Sequence, residues 1–339
     1  MKLPHLLTVD GLSRRQITTL LDTAVEMEAV GHREVKKIPA LRGITIVNAF
    51  FEDSTRTKMS FDLAAKRLSA DTMAFASKGS STAKGESLRD TVLTIAAMGV
   101  DGFVIRHKGS GAPQRAMDWT GLPVVNAGDG MHGHPTQALL DAYAMRSRLG
   151  DLEGKHVAIV GDLFHSRVVR SNLACLRTLG AKVTLVAPPT LMPQGIAEWP
   201  VVAAGPGDPG VEITSHLDDV LPHVDALMML RVQRERMSGG FFPSEAEYAE
   251  GWGLTRARLA RLPEHAVICH PGPMNRGLEI APEAADHARS LILDQVAAGV
   301  SIRMAVLFHI FAGDPDDPGE QRNDANTPAA TGHESEGSK

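Results

Sequence analysis

Ser54, Thr55, Arg56 and Thr57 stand together just past an apolar run, Ile44 to Phe51, with only Glu52 and Asp53 between. Three hydroxyls and a guanidinium at one point suit the binding of a phosphate. The run before them reads as a strand. Met59, Leu63 and Leu68 follow at three-to-five-residue spacing, with Ala64 and Ala65 between, and read as a helix. A strand, a tight turn and a helix start would add unpaired backbone N–H groups at the same point. Plain helix capping by Ser54 or Thr55 would use the same residues.

Other chemically useful residues fall in similar places. Arg106 ends the apolar run 102–106. His134 follows the run 123–126 and a loop, and opens a helical pattern that reaches Leu149. Arg167 follows 156–160, Arg231 follows 225–230, and His270-Pro271-Gly272-Pro273 follows 266–269. Further strands are expected at 71–76 and 182–187, and Ser13 with Gln16 reads as a capping box opening a helix to about Glu28. In open α/β sheets, ligands bind beyond the carboxyl ends of the strands. Two successive βα series therefore predict an α/β protein with two doubly wound domains, parallel sheets and an active-site cleft between them. The last helical pattern, roughly 283–311, is long enough to return to the first domain. The expected division is 1–133 plus 291–312, then 134–290, then a disordered acidic tail over 313–339.

Length and composition agree with two domains: 339 residues, 43% hydrophobic. The tail carries Asp314, Asp316, Asp317, Glu320, Asp324, Glu334 and Glu336 against Arg322 and Lys339, which accounts for the whole net charge of −5. The remaining body is balanced, so neither nucleic acid nor a membrane surface is indicated. No stretch is expected to span a membrane. Cys175 and Cys269 are the only cysteines. They suggest no disulfide framework or metal site, and a reducing cytoplasm is the expected location. The turn at Gly161-Asp162 lacks the G-x-G-x-x-G spacing, which argues against a dinucleotide.

Ser54–Thr57, His134-Pro135-Thr136-Gln137-Ala138-Leu139-Leu140-Asp141 and His165-Ser166-Arg167-Val168-Val169-Arg170-Ser171-Asn172 together resemble the carbamoyltransferases. Lys84-Gly85-Glu86-Ser87 and Arg231-Val232-Gln233-Arg234-Glu235-Arg236 narrow the resemblance to the aspartate-type catalytic chains. It covers about residues 4 to 312. The Asp-x-x-x-Ser-Met-Gly and His-Cys-Leu-Pro motifs of the ornithine-type enzymes are absent. Residues 270–273 read His-Pro-Gly-Pro, with Gly272 at a position whose backbone is what the family uses.

The resemblance implies transfer of a carbamoyl group from carbamoyl phosphate to L-aspartate, an early step of pyrimidine (UMP) biosynthesis, with no cofactor and no metal. Two anionic substrates would need several permanently charged guanidinium groups. By resemblance, Ser54, Thr55, Arg56 and Thr57 hold the phosphate, and Arg106 bridges phosphate and carbonyl oxygen. His134 would donate a hydrogen bond to the carbamoyl oxygen from a neutral ring, because a helix start disfavours a positive one. His132 reads as structural. Gln137 and the carbonyls of Gly272 and Pro273 would meet the carbamoyl amino group. Arg167, Arg231 and Gln233 would bind the two carboxylates of aspartate. Glu52 and Glu235 would orient site arginines, while Arg234 and Arg236 read as ion-pairing or hinge residues. Sequence spacing does not place Arg170. Ser80, with Ser81 as a rival register, and Lys84 would enter a neighbouring chain's site, which makes a homotrimer the smallest active unit. Regulatory chains or a dihydroorotase-like partner stay open. Arg231-Val232-Gln233 argues against a carbamoyltransferase for another amino acid. The intact phosphate, Lys84 and His134 residues argue against an inactive structural homologue in a pyrimidine-pathway complex.

Overall fold

The computed structural model describes residues 1–76, 85–203, 210–234, 237, 240 and 244–313. Helix α1 (Arg14–Gly31) opens with the expected capping box between Ser13 and Gln16. The first βα series is β1 (Thr45–Phe50), α2 (Thr55–Arg67), β2 (Asp71–Ala76), α3 (Leu88–Ala96), β3 (Gly102–His107), α4 (Ala112–Thr120) and β4 (Val124–Asp129). Helix α5 (Pro135–Leu149) leads to the second: β5 (His156–Val160), α6 (Arg167–Thr178), β6 (Lys182–Val186), β7 (Val211–Thr214), α7 (Leu217–Val220), β8 (Ala226–Met229), α8 (Glu245–Trp252), α9 (Arg256–Leu259), β9 (Val267–Cys269) and α10 (Pro282–Ala285). Helix α11 (Ile292–Phe311) closes the described chain.

Two parallel sheets result, with strand orders β2-β1-β3-β4 and β7-β6-β5-β8-β9. Each reverses direction once, between β1 and β3 and between β5 and β8. Those two crevices are where a doubly wound sheet places its ligand. Ser54 and Arg106 lie at the carboxyl ends of the first pair, and Arg167 and Arg231 at those of the second.

Helix α11 packs against α1, α2 and α5, and α5 packs in turn against α6. One apolar core runs from Leu20 and Leu21 through Leu139, Ile302 and Val306 to Leu176 and Leu185. Such burial contributes roughly 1.5–3 kcal/mol per large aliphatic side chain.

Several sequence expectations need correction. Met59 and Leu63 are 66% and 41% exposed, so the inward face of α2 is Phe61, Ala64, Ala65 and Leu68 instead. The expected helix 283–311 is two helices. Between them, Leu291 N–H donates to the Ile268 carbonyl and the chain bridges to β9, which forbids a continuous helix. The short strand β7 was not anticipated. Helix α11 is long and apolar enough to cross a membrane by length and composition, contrary to expectation, but most of it is buried in the protein. Both cysteines are free and buried, as small apolar side chains would be.

Candidate active site

The first strand crevice is built by the turn after β1. Ser54 is the N-cap of α2 in extended conformation, yet its hydroxyl makes no capping hydrogen bond. The capping alternative therefore fails for Ser54, and its oxygen stays available at the helix start, beside unpaired N–H groups. Thr57 is buried one turn in. Arg56 crosses toward the second domain, where its guanidinium lies on Gly272. A Cβ built at Gly272, whose φ is +58°, would collide with Arg56 Nη1 and lie 2.9 Å from Cζ. Burial, then the neighbouring charge of Arg231, lowers the Arg56 pKa.

Glu52 ties the arginines of both crevices together. Its Oε1 accepts from Arg106 Nη2 at 2.7 Å and from Arg167 Nη2 at 2.6 Å, and its Oε2 accepts from Arg167 Nη1 at 3.1 Å. Arg106 also donates to the Ala127 carbonyl, and Arg167 to the Gly130 carbonyl. Gly128, at φ +115°, makes this approach possible. A Cβ there would lie 2.9 Å from Arg106 Nη1 and 3.1 Å from Arg167 Nε. No side chain larger than hydrogen fits between the two guanidinium groups.

His134 caps α5 at the centre of this cluster. Its backbone N–H donates to Ser171 Oγ at 2.8 Å, and the side chain is buried with no hydrogen-bond partner on Nδ1. Burial, followed by the charges of Arg106, Arg167 and Arg303, drives its pKa well below the ordinary value. Burial and three arginines thus favour the neutral ring, where the sequence reading rested on the helix start. His132 instead pairs with Asp129 at 3.0 Å through Nδ1 and remains half-exposed, consistent with a structural role.

Gln137 is buried one turn after His134, and its Nε2 donates to Asp141 Oδ1 at 2.9 Å. In the second domain, Gln233 is fixed at both ends. Its backbone N–H donates to Asp162 Oδ2 at 3.2 Å and its Nε2 to the His165 carbonyl at 3.2 Å. Arg231 stands two residues before it, beyond β8. The peptide Gly272–Pro273 is cis. Burial comes first among the causes that lower the His270 pKa, with Arg56 and Arg231 adding to it and Glu279 opposing. Arg56 and Arg231 thus bring positive charge beside 270–273, while Arg106 and Arg167, joined by Glu52, bring it beside His134.

Arg234 pairs with Glu245, as an ion-pairing residue should. Arg170 stacks on Trp199, with its guanidinium carbon 3.8 Å from the ring centre. Ser80, Ser81, Lys84, Glu235 and Arg236 lie outside the described residues. Sequence reasoning missed Gly128 and the buried carboxylates of Asp141 and Asp162.

The sequence pattern described as "Aspartate/ornithine carbamoyltransferase, carbamoyl-P binding domain" matches residues 4–147. That described as "Aspartate/ornithine carbamoyltransferase, Asp/Orn binding domain" matches residues 153–310. The aspartate carbamoyltransferase catalytic subunit of Acidothermus cellulolyticus is 57% identical over 309 residues, covering 91% of this chain and 93% of that protein. The corresponding subunit of Salinispora arenicola is 60% identical, covering 91% and 98%. Among solved structures, aspartate transcarbamoylase from Trypanosoma cruzi in complex with N-(phosphonacetyl)-L-aspartic acid superimposes with a TM-score of 0.83 at 33% identity, over 92% of this chain and 97% of that one. The same enzyme in complex with carbamoyl phosphate and aspartate gives 0.83 at 32% identity, over 92% and 96%.

Proposed function

The chain belongs to the aspartate/ornithine carbamoyltransferase family, and on that premise we propose how its residues divide one reaction between two domains. The reaction moves the carbamoyl group of carbamoyl phosphate onto the amine of L-aspartate, giving N-carbamoyl-L-aspartate and phosphate. In this reading the first domain, 1–133 plus 291–312, binds carbamoyl phosphate, and 134–290 binds aspartate. The product feeds pyrimidine synthesis in the cytoplasm.

Ser54, Thr55, Arg56, Thr57 and the α2 N-terminus hold the phosphate. Arg106 spans phosphate and carbonyl oxygen. Gln137 and the carbonyls of Gly272 and Pro273 face the carbamoyl amino group. Arg167, Arg231 and Gln233 take the carboxylates of aspartate. The deprotonated amine attacks the carbonyl carbon, and negative charge grows on the oxygen. A neutral His134 ring carries one N–H, which it donates to that oxygen, while Arg106 adds its charge. As the C–O bond to phosphate breaks, the nitrogen gives up its extra proton to the departing phosphate, which leaves into a site already lined with donors. Proximity supplies much of the remaining rate.

The observation that carries this reading is the buried, neutral His134 among arginines drawn from both domains. A site of that kind favours charge that develops between two bound anions. The test is to supply carbamoyl phosphate with aspartate or with ornithine. N-carbamoyl-L-aspartate should form with the first, and citrulline should not form with the second. Turnover with ornithine alone would refute the assignment.

The active unit in this reading is a homotrimer. Met59, Leu63 and Met73 expose apolar surface beside the edge strand β2. The chain that continues from β2 carries Ser80 and Lys84. In this reading a second copy seats on that face, and Ser80 and Lys84 serve a neighbour's site rather than their own.

A further inference from the structure

Asp141 is fully buried on α5, one turn beyond Gln137. Three side-chain amides from three helices donate to it. Gln137 Nε2 of α5 and Gln295 Nε2 of α11 reach Oδ1 at 2.9 and 2.7 Å, and Asn172 Nδ2 of α6 reaches Oδ2 at 2.9 Å. The second of these amides continues the connection. Gln295 Oε1 accepts from the His270 backbone N–H at 2.9 Å, and His270 Nδ1 accepts from the Gly272 N–H at 2.8 Å. One carboxylate therefore fixes the Gln137 amide directly and the backbone at Gly272 through two intermediates. An amide side chain can turn end for end, exchanging its N–H and its oxygen. With a carboxylate at 141 only the N–H ends of Gln137 and Gln295 can face inward. That leaves the oxygen of Gln137 to point away from Asp141, and the oxygen of Gln295 to hold His270.

We propose that Asp141 is a positioning residue that orients the Gln137 amide and the Gly272 backbone together, as one unit that recognises the carbamoyl amino group. This inference rests on the reading that Gln137, Gly272 and Pro273 meet that amino group. Asp141 touches no substrate. It sets which atom two separate elements present to the same small donor, so it discriminates carbamoyl phosphate from bare phosphate.

Calorimetric titration of wild type and variants with carbamoyl phosphate and with inorganic phosphate tests this. Asn172 Nδ2 is also held by the Val168 carbonyl. Asp141→Asn therefore keeps the shape but turns the new amide's oxygen to Asn172 and sets N–H against N–H at two of three contacts, those to Gln137 and Gln295. It should weaken carbamoyl phosphate about tenfold and leave phosphate within about twofold, because a buried mispaired donor costs its desolvation. Asp141→Asn with Asn172→Asp exchanges donor and acceptor across the α5–α6 contact and should restore carbamoyl phosphate to within about threefold of wild type. Gln295→Leu, which cuts only the arm to His270, should show the same selective loss and decides the matter if Asp141→Asn does not fold. Equal loss of both ligands, or no loss of either, overturns the proposal. Failure of wild type to make N-carbamoyl-L-aspartate would instead remove the functional reading beneath it, and is seen separately in the assay.

Discussion

Glu52 of the first domain holds Arg167 of the second through two parallel hydrogen bonds, at 2.6 and 3.1 Å, and the same carboxylate holds Arg106. A fork-on-fork pair of this kind fixes direction as well as distance. The carboxylate meets one arginine read as a carbamoyl phosphate ligand and one read as an aspartate ligand. Glu52→Gln should therefore lower kcat/KM for both substrates. Losing charge-assisted hydrogen bonds costs about 1.5–3 kcal/mol, or roughly 10- to 100-fold. Steady-state kinetics with each substrate varied in turn would check this. An effect on one substrate alone would separate the two arginines.

Arg56→Ala should nearly abolish turnover and leave the fold intact. The guanidinium sits at the α2 start against Gly272 rather than in the core. Its loss from a phosphate site should cost about 2–4 kcal/mol of transition-state stabilisation. Circular dichroism and rate measurement at saturating substrate together decide it, and a near-normal rate contradicts the role.

His134→Ala should lower kcat about a hundredfold, as removal of an oxyanion donor does, while carbamoyl phosphate affinity changes little. The imidazole should also stay neutral throughout the physiological range, since burial and three arginines depress its pKa. A histidine whose folded pKa is depressed favours the fold above the unfolded pKa near 6.5, and that contribution is lost as pH falls. Nitrogen NMR of the ring reads the charge directly. A cationic ring at pH 7 would contradict the mechanism.

Asp141 titrates in the opposite sense. Burial raises its pKa from 3.8 to about 6, against the opposing hydrogen bonds of Asn172, Gln295 and Gln137 and the charge of Arg303. The folded state then binds a proton that the unfolded state has released. Its contribution to stability is full below the unfolded value and is lost as pH rises through about 6. Carboxyl NMR should place its midpoint near 6, and a midpoint below 4 would show an ordinary surface-like carboxylate.

Two inactive variants, Lys84→Ala and Arg56→Ala, should regain activity when mixed under conditions of subunit exchange. In the proposed trimer, some mixed assemblies would contain one site with Arg56 from one chain and Lys84 from the other. No recovery, with exchange confirmed by native mass spectrometry, would place Lys84 in its own chain's site or in none.

Much of this site was legible in the sequence because its residues sit at strand ends. Ser54–Thr57, Arg106, Arg167 and Arg231 each follow an apolar run, and a doubly wound sheet brings such ends to its crevices. The neutrality of His134 was legible too, but its cause was not, because the three arginines come from β3, α6 and α11. Gly128 was invisible for the same reason. The closeness of Arg106 to Arg167 is set by two domains, not by spacing. Met59 and Leu63 misled because their spacing fits a helix, while the small Ala64 and Ala65 beside Phe61 mark the face that packs. Strand β7 escaped because a four-residue, half-buried edge strand carries little periodicity. The break before α11 comes from a backbone bridge to β9 that no local pattern announces.

The central claim is that one interdomain cleft takes both substrates at once. N-(phosphonacetyl)-L-aspartate, the ligand in the Trypanosoma cruzi structure, joins a phosphonate to an aspartate and so reads both halves together. Titration of this protein with it should show one tight site per chain, competitive with carbamoyl phosphate. Binding should weaken at least about a hundredfold both in Arg56→Ala and in Arg231→Ala, while Arg231→Ala still binds carbamoyl phosphate normally. Binding without competition, or full affinity retained in either variant, would contradict the claim.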